Sequence, residues 1–184
     1  MYEHLEEWAA AVNREDVIRR AAGSAQIYDQ EQGRRRALVI AVVGLSSDPE
    51  RPSHQVAARL QQRGYRILPV NPTAAGERIL GEPVFTSLSE IPEKVDVVQV
   101  FRNPRYAPEV AKEAAALQGA PILWLQEGVV SEEAVRIASK AGLPVVMDRC
   151  LWKEVLRLQG DAPPGDSAAS ADRPGKEGGE GENS

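Results

Sequence analysis

The sequence predicts an α/β protein, a Rossmann-like doubly wound parallel sheet of about five strands. Three observations predict it. The run at 37–43 is near-continuously apolar, without the alternation of a half-exposed strand, and suits a strand buried on both faces, and further strand segments follow at 66–70, 95–101, 121–125 and 143–147. Stretches with apolar residues at helical spacing lie between them, as βαβ units require. The composition is 42% hydrophobic and 27% charged with few aromatics, which fits a globular core filled by Ala, Val and Leu.

Each element follows in order. Leu5, Trp8 and Val12, then Val17, Ile18 and Ala21, fall at helical spacing, so residues 1–33 read as an N-terminal helical segment, with Trp8 packing it onto the domain. Residues 30–36 are polar and read as a connection longer than usual, and Arg34-Arg35-Arg36 reads as a solvated basic run. The first strand spans 37–43 and ends at Gly44; a turn follows over 45–51. A helix over 52–63 carries Val56, Ala57 and Leu60 on its apolar face and stops at Gly64. The second strand, 66–70, ends at Asn71-Pro72, and the third, 95–101, ends near Arg102. A helix over 108–117 leads to the fourth strand, 121–125, which ends at Gln126-Glu127-Gly128. Ser131 is the expected N-cap of a helix reaching Ala141, with Glu132 and Glu133 complementing its dipole. The fifth strand is 143–147, and a short helix over 151–158 closes the domain. Residues 34–158 are thus the expected domain. Residues 159–184 are rich in Gly, Pro, Ser and charge without apolar periodicity, and read as a disordered C-terminal tail.

The charge pattern narrows the function classes. A net charge of -5 argues against a general nucleic-acid partner, although backbone N–H groups hold phosphate on acidic proteins too. The single cysteine, Cys150, excludes an internal disulfide and suits a reducing compartment. No apolar run approaches a membrane span, and the acidic N-terminus is unlike a signal peptide, so a cytoplasmic location is the expectation.

Right-handed crossovers place every strand C-terminus on one edge, and ligands of such sheets bind there. That topology selects Gly44, Leu45, Ser46, Ser47, Arg51 and Ser53, then Asn71 and Pro72, Phe101 and Arg102, and Gln126, Glu127 and Gly128. Gly44 permits tight backbone geometry and close approach of a ligand, Ser46 and Ser47 offer hydroxyls, the next helix offers its N-terminus, and Arg51 offers a charge to phosphate. Ser53 either caps that helix or touches ligand, and an ordinary strand-to-helix turn would look similar. The G-x-G-x-x-G pattern is missing, and Asn71-Pro72 stands where an NAD site carries an acid. The P-loop pattern is missing as well.

The run Ala41-Val42-Val43-Gly44-Leu45-Ser46, followed by Arg51-Pro52-Ser53, Gly64-Tyr65, Pro69-Val70-Asn71-Pro72, Phe101-Arg102, Trp124-Leu125-Gln126-Glu127-Gly128 and Val146-Met147-Asp148-Arg149-Cys150, resembles the small stand-alone CoA-binding domain proteins. These are similar to the N-terminal CoA-binding domain of the succinyl-CoA ligase α subunit. The resemblance implies coenzyme A held across the strand ends. Gly44, Leu45, Ser46 and Ser47 would meet the phosphates, and Asn71 and Pro72 would border the nucleotide. Phe101 and Arg102 would line the cleft, with Leu125, Gln126 and Glu127 along the pantetheine arm. Members often carry a base after Asn-Pro; here Thr73 stands there, and Arg78 is the available substitute.

A CoA or acyl-CoA binder without catalytic residues of its own is the expected function. The alternative is a nucleotide- or CoA-using enzyme subunit acting with a protein partner. His54 reads as a surface or ligand-edge residue, His4 has no partner in view, and no catalytic triad or metal cluster is visible. Cys150 reads either as a thiol placed to contact CoA or as a small buried apolar residue. Trp124, Trp152, Leu151 and Val155 read as core, and Glu132-Glu133 as a solvated helix start.

Overall fold

A computed structural model describes residues 11–161 of the chain. His4, Leu5, Trp8 and the tail expectation from residue 162 onward lie outside the described residues. Helix α1, Glu15–Ala22, has Glu15 and Asp16 in its first turn and Arg19 and Arg20 in its last, and buries Val17, Ile18, Ala21 and Ala22.

The helical expectation for residues 1–33 fails beyond α1. Strands β1, Gln26–Asp29, and β2, Arg34–Ala37, form an antiparallel hairpin with Tyr28 opposite Arg35. The Asp29 carboxylate builds its turn by accepting the N–H groups of Glu31 and Gln32, both at 3.0 Å. The basic run is likewise not solvated throughout. Arg34 and Arg35 are exposed, but Arg36 lies half-buried between Asp29 at 2.8 Å and Asp96 at 2.7 Å. The apolar run at 37–43 therefore belongs to two elements. Ala37 closes the hairpin, and Leu38 donates its N–H to the Ala25 carbonyl before β3, Val39–Val43, begins.

From β3 onward the elements alternate as expected. Helix α2, Pro52–Gln62, leads to β4, Arg66–Val70. A small hairpin of β5, Arg78–Ile79, and β6, Glu82–Pro83, lies in the crossing to β7, Val97–Val100. Helix α3, Ala107–Ala115, precedes β8, Ile122–Leu125. Helix α4, Glu132–Lys140, is capped by Ser131, whose side chain accepts the Ala134 N–H at 3.2 Å. Strand β9, Val145–Val146, and helix α5, Leu151–Gln159, complete the domain.

The five main strands are all parallel, in the order β4-β3-β7-β8-β9. Every residue of β3, β7 and β8 is buried, which explains why apolar residues dominate them. Ile40, Val42, Val97, Ile122 and Trp124 pack toward α1, α2 and α5. Ala41, Val43, Val98, Val100, Leu123 and Leu125 pack toward α3 and α4. Helices on both faces make the sheet doubly wound. Both sheet edges are covered: Phe85 bridges to Val70 beside β4, and Val12 bridges to Val145 beside β9. No helix among the described residues is long and apolar enough to cross a membrane.

The chain leaves β3 on one side to form β4 and returns on the other to form β7. The strand order therefore reverses between β3 and β7, the topological switch point.

Candidate functional site

Gly44, at the end of β3, donates its N–H to the Val70 carbonyl at 2.8 Å and adopts φ +88. A Cβ there would sit 2.8 Å from the Phe101 carbonyl oxygen. The glycine is thus required by the neighbouring strand end, the tight backbone geometry expected of it at the end of the first strand. The Leu45 side chain is fully buried, leaving main-chain atoms at that position, and its carbonyl accepts the Asn71 amide at 3.0 Å. Ser46 ties the turn to α2: its N–H donates to Ser53 Oγ at 3.1 Å, and its carbonyl accepts from His54 Nδ1 at 2.9 Å. The Ser46 hydroxyl accepts the Asp48 N–H at 3.1 Å.

Helix α2 begins without a side-chain cap. Arg51 occupies its N-cap, Pro52 its first turn, and the first turn holds no acid. Its N-terminal partial positive charge is therefore uncompensated by the chain, the condition that favours an anion. The Arg51 side chain is exposed and only loosely paired with Asp48, at 3.8 Å. Across the switch point, Arg102 lies over the Tyr106 ring, 4.9 Å from its centroid, and has no carboxylate partner among the described residues.

A cleft of 620 Å³ opens between these walls. Of the predicted residues, Gly44, Ser46, Arg51, Ser53, Phe101, Arg102, Gln126, Glu127, Gly128 and Cys150 line it, joined by Pro52, Val56 and Val129. Ser47 is exposed beside it. Leu125 is fully buried among the side chains facing α3 and α4, so its side chain takes no part in the wall. Asn71 and Pro72 stand outside the lining. Asn71 braces the loop instead, its Oδ1 accepting the Thr73 N–H at 3.0 Å and the Thr73 hydroxyl at 2.7 Å. The Arg78 guanidinium is engaged within its own hairpin, on the Gly81 carbonyl.

The far wall joins the ends of β8 and β9. Gly128 donates its N–H to Asp148 Oδ1 at 2.8 Å, and Trp124 Nε1 donates to the Arg149 carbonyl at 2.8 Å. Glu127 pairs with Lys153 at 2.7 Å. Burial pushes the Glu154 carboxyl up, but hydrogen bonds from Arg157 and Arg149 outweigh it and hold the group below its ordinary range. Cys150 is half-buried at the N-cap of α5, packed beside the core and open to the cleft. Gln99, not among the predicted site residues, lies fully buried and donates to Gln126 Oε1 at 3.0 Å. A polar residue inside the apolar run of β7 was its sequence signal. No group of three or more His, Cys, Asp or Glu that could hold a metal occurs among the described residues.

Residues 39–155 match the family described as CoA binding domain. The uncharacterized protein YneT of Bacillus subtilis is 44% identical over 117 residues, covering 64% of this chain and 84% of that protein. The structure of cell-free ID.343 from Thermus thermophilus is similar at 43% identity and a TM-score of 0.63, covering 66% of this chain and 90% of that one. Acetate–CoA ligase (ADP-forming) II of Archaeoglobus fulgidus is 32% identical over 117 residues, 58% of this chain but 17% of the ligase. The matched stretch runs from β3 into α5 and contains every strand of the parallel sheet and every residue of the cleft: the chain belongs to the CoA binding domain family.

Proposed function

We propose that the chain binds coenzyme A or an acyl-CoA in the switch-point cleft, as a cytoplasmic protein without catalytic residues of its own. The observation that carries the reading is the division of that cleft. One end offers the uncapped N-terminus of α2 with Arg51 and Arg102, suited to the phosphates. The other offers Gln126, the Gly128-Val129 turn and Cys150, suited to an amide-bearing arm ending in sulfur. Leu45 and Ser47 supply main-chain and hydroxyl contacts at the phosphate end, while Asn71 and Pro72 bound the nucleotide. His54 is held by Ser46 through Nδ1, which must carry the proton because a carbonyl only accepts. That contact gives it an orienting role in the loop.

Cys150 is assigned to the thiol end. In an exchange with CoA disulfide, its thiolate attacks one sulfur, the new Sγ–S bond forms as the old S–S bond breaks, and CoA thiolate leaves. A second reading, a subunit acting with a protein partner, is favoured by one finding: the corresponding stretch of the Archaeoglobus ligase is a small part of a much larger chain.

A thermal-shift panel tests the proposal. A ligand at 100 times its Kd stabilises by about 2.7 kcal/mol when only the native state binds. CoA is expected to raise Tm, and NAD and ATP to leave it nearly unchanged. An NAD-only shift, or none, overturns the reading. Intact mass on the CoA disulfide sample is expected to show one CoA adduct that Cys150→Ser abolishes; no adduct on the unmutated chain removes Cys150 from the site.

A further inference from the structure

Two glutamines under the cleft fix each other's orientation. Gln99 is the one polar residue of β7 and is fully buried; Gln126 is 4% exposed and lines the cleft. Gln126 Oε1 accepts two donors, Gln99 Nε2 at 3.0 Å and the main-chain N–H of Leu151 at 3.3 Å. Leu151 opens α5, and its N–H is the member of this network that cannot be turned round. Only an oxygen can meet it, so Gln126 must present Oε1 inward. Gln99 must then present its NH2 group, which strands its own Oε1 in the core without a partner among the described residues. The Gln126 NH2 group, on the other branch of the planar amide, has no partner among the described residues, and Gln126 lines the cleft.

We infer that Gln99 is a positioning residue: it locks the Gln126 amide so that the cleft meets an N–H donor and not an acceptor, selecting a carbonyl oxygen of the ligand. The inference rests on the CoA reading of the site. The pantetheine arm carries amide carbonyls, whereas the adenosine phosphate end of CoA carries none, so Gln126 reads the arm.

The test compares the affinities of the unmutated chain, Gln126→Glu and Gln99→Leu for CoA and for adenosine 3′,5′-bisphosphate, which lacks the arm. Gln126→Glu keeps an oxygen for Leu151 and Gln99 but replaces the outward donor by an acceptor. It is expected to weaken CoA by about tenfold, the effect of one lost hydrogen bond with an acceptor turned against a carbonyl. Gln99→Leu frees one side of the lock and is expected to weaken CoA by about threefold, the effect of a loosened donor whose Leu151 tether remains. Gln99→Leu is expected to bind the bisphosphate as the unmutated chain does, which also reports that it folds, whereas Gln126→Glu, which adds a negative charge to the cleft, is expected to weaken CoA by a clearly larger factor than the bisphosphate. CoA binding all three proteins with one preference over the bisphosphate, or both ligands weakening in parallel, overturns the inference alone. Failure of CoA to bind the unmutated chain overturns the site reading and the inference with it.

Discussion

A methyl group at Gly44 would meet the Phe101 carbonyl oxygen at 2.8 Å and Arg102 Cγ at 2.9 Å, on a backbone at φ +88. Left-handed strain and the clash together set an expected loss of about 2 kcal/mol for Gly44→Ala, measured by urea unfolding. Because the atoms that must yield carry one wall of the cleft, CoA binding is expected to weaken as well. An unchanged variant would mean that the two strand ends move apart freely. Gln99 makes the complementary point about energy. Its unpaired buried oxygen costs about 1–3 kcal/mol, which an apolar residue of similar size would avoid, so packing alone gives no reason for an amide there. Position at a strand end was legible in the sequence for Gly44, Phe101 and Gln126, because an apolar run stops where burial on both faces stops. Orientation was not legible. Leu45 and Leu125 lie at the same edge yet turn their side chains into the core, and Asn71 turns back onto Leu45 and Thr73. One step along a strand reverses a side chain, and where the strand ends among loops no periodicity survives to tell which way it points.

The same physics separates the elements that were legible from the one that was not. Strands β3, β4, β7 and β8 declare themselves because they are predominantly apolar. The β1–β2 hairpin has no such signal: Gln26, Tyr28, Arg34 and Arg35 are exposed, and its turn is built by the Asp29 carboxylate. What fastens it to the domain is Arg36, bidentate on Asp96 at 2.7 and 2.8 Å while also bonded to Asp29, with Asp96 in turn accepting the Val39 N–H at 2.8 Å. Arg36→Leu leaves these carboxylates without their cation and is expected to cost on the order of 2 kcal/mol near neutral pH. The hydrogen bond from Arg36, aided by the main-chain N–H groups of Gln32 and Glu31, holds Asp29 below its ordinary 3.8. A depressed folded-state value means stability that is present above 3.8 and lost as pH falls through the lower, folded-state value. The variant lacks the largest cause of that depression. The stability gap between the two proteins is therefore expected to narrow in acid below about pH 4 and to stay constant above it. A gap independent of pH would assign Arg36 a packing role only.

At the scale of the whole molecule, size does not choose between two openings. A groove of 610 Å³ lies at the opposite end of the sheet, near the start of β7 and the end of α3, and nearly equals the 620 Å³ cleft. Topology and charge favour the cleft as the proposed site. The groove is lined by Glu31, Glu93 and Glu113 against a single Lys94, an unfavourable setting for a polyanion on a chain already at -5. The cleft lies at the strand C-termini beside the switch point, with Arg51, Arg102 and the free N-terminus of α2 focused on it. A ligand seated there braces segments from both sides of the switch point at once. Hydrogen exchange with CoA is therefore expected to slow at 44–53, 101–106 and 126–129, three stretches separated in sequence and joined only by the strand order. Exchange at 89–95 and 113–119, around the acidic groove, is expected to stay unchanged. Protection confined to the groove would move the ligand to the other edge of the sheet. Protection of 44–53 without 126–129 would mean that the phosphates are held while the arm stays in solvent.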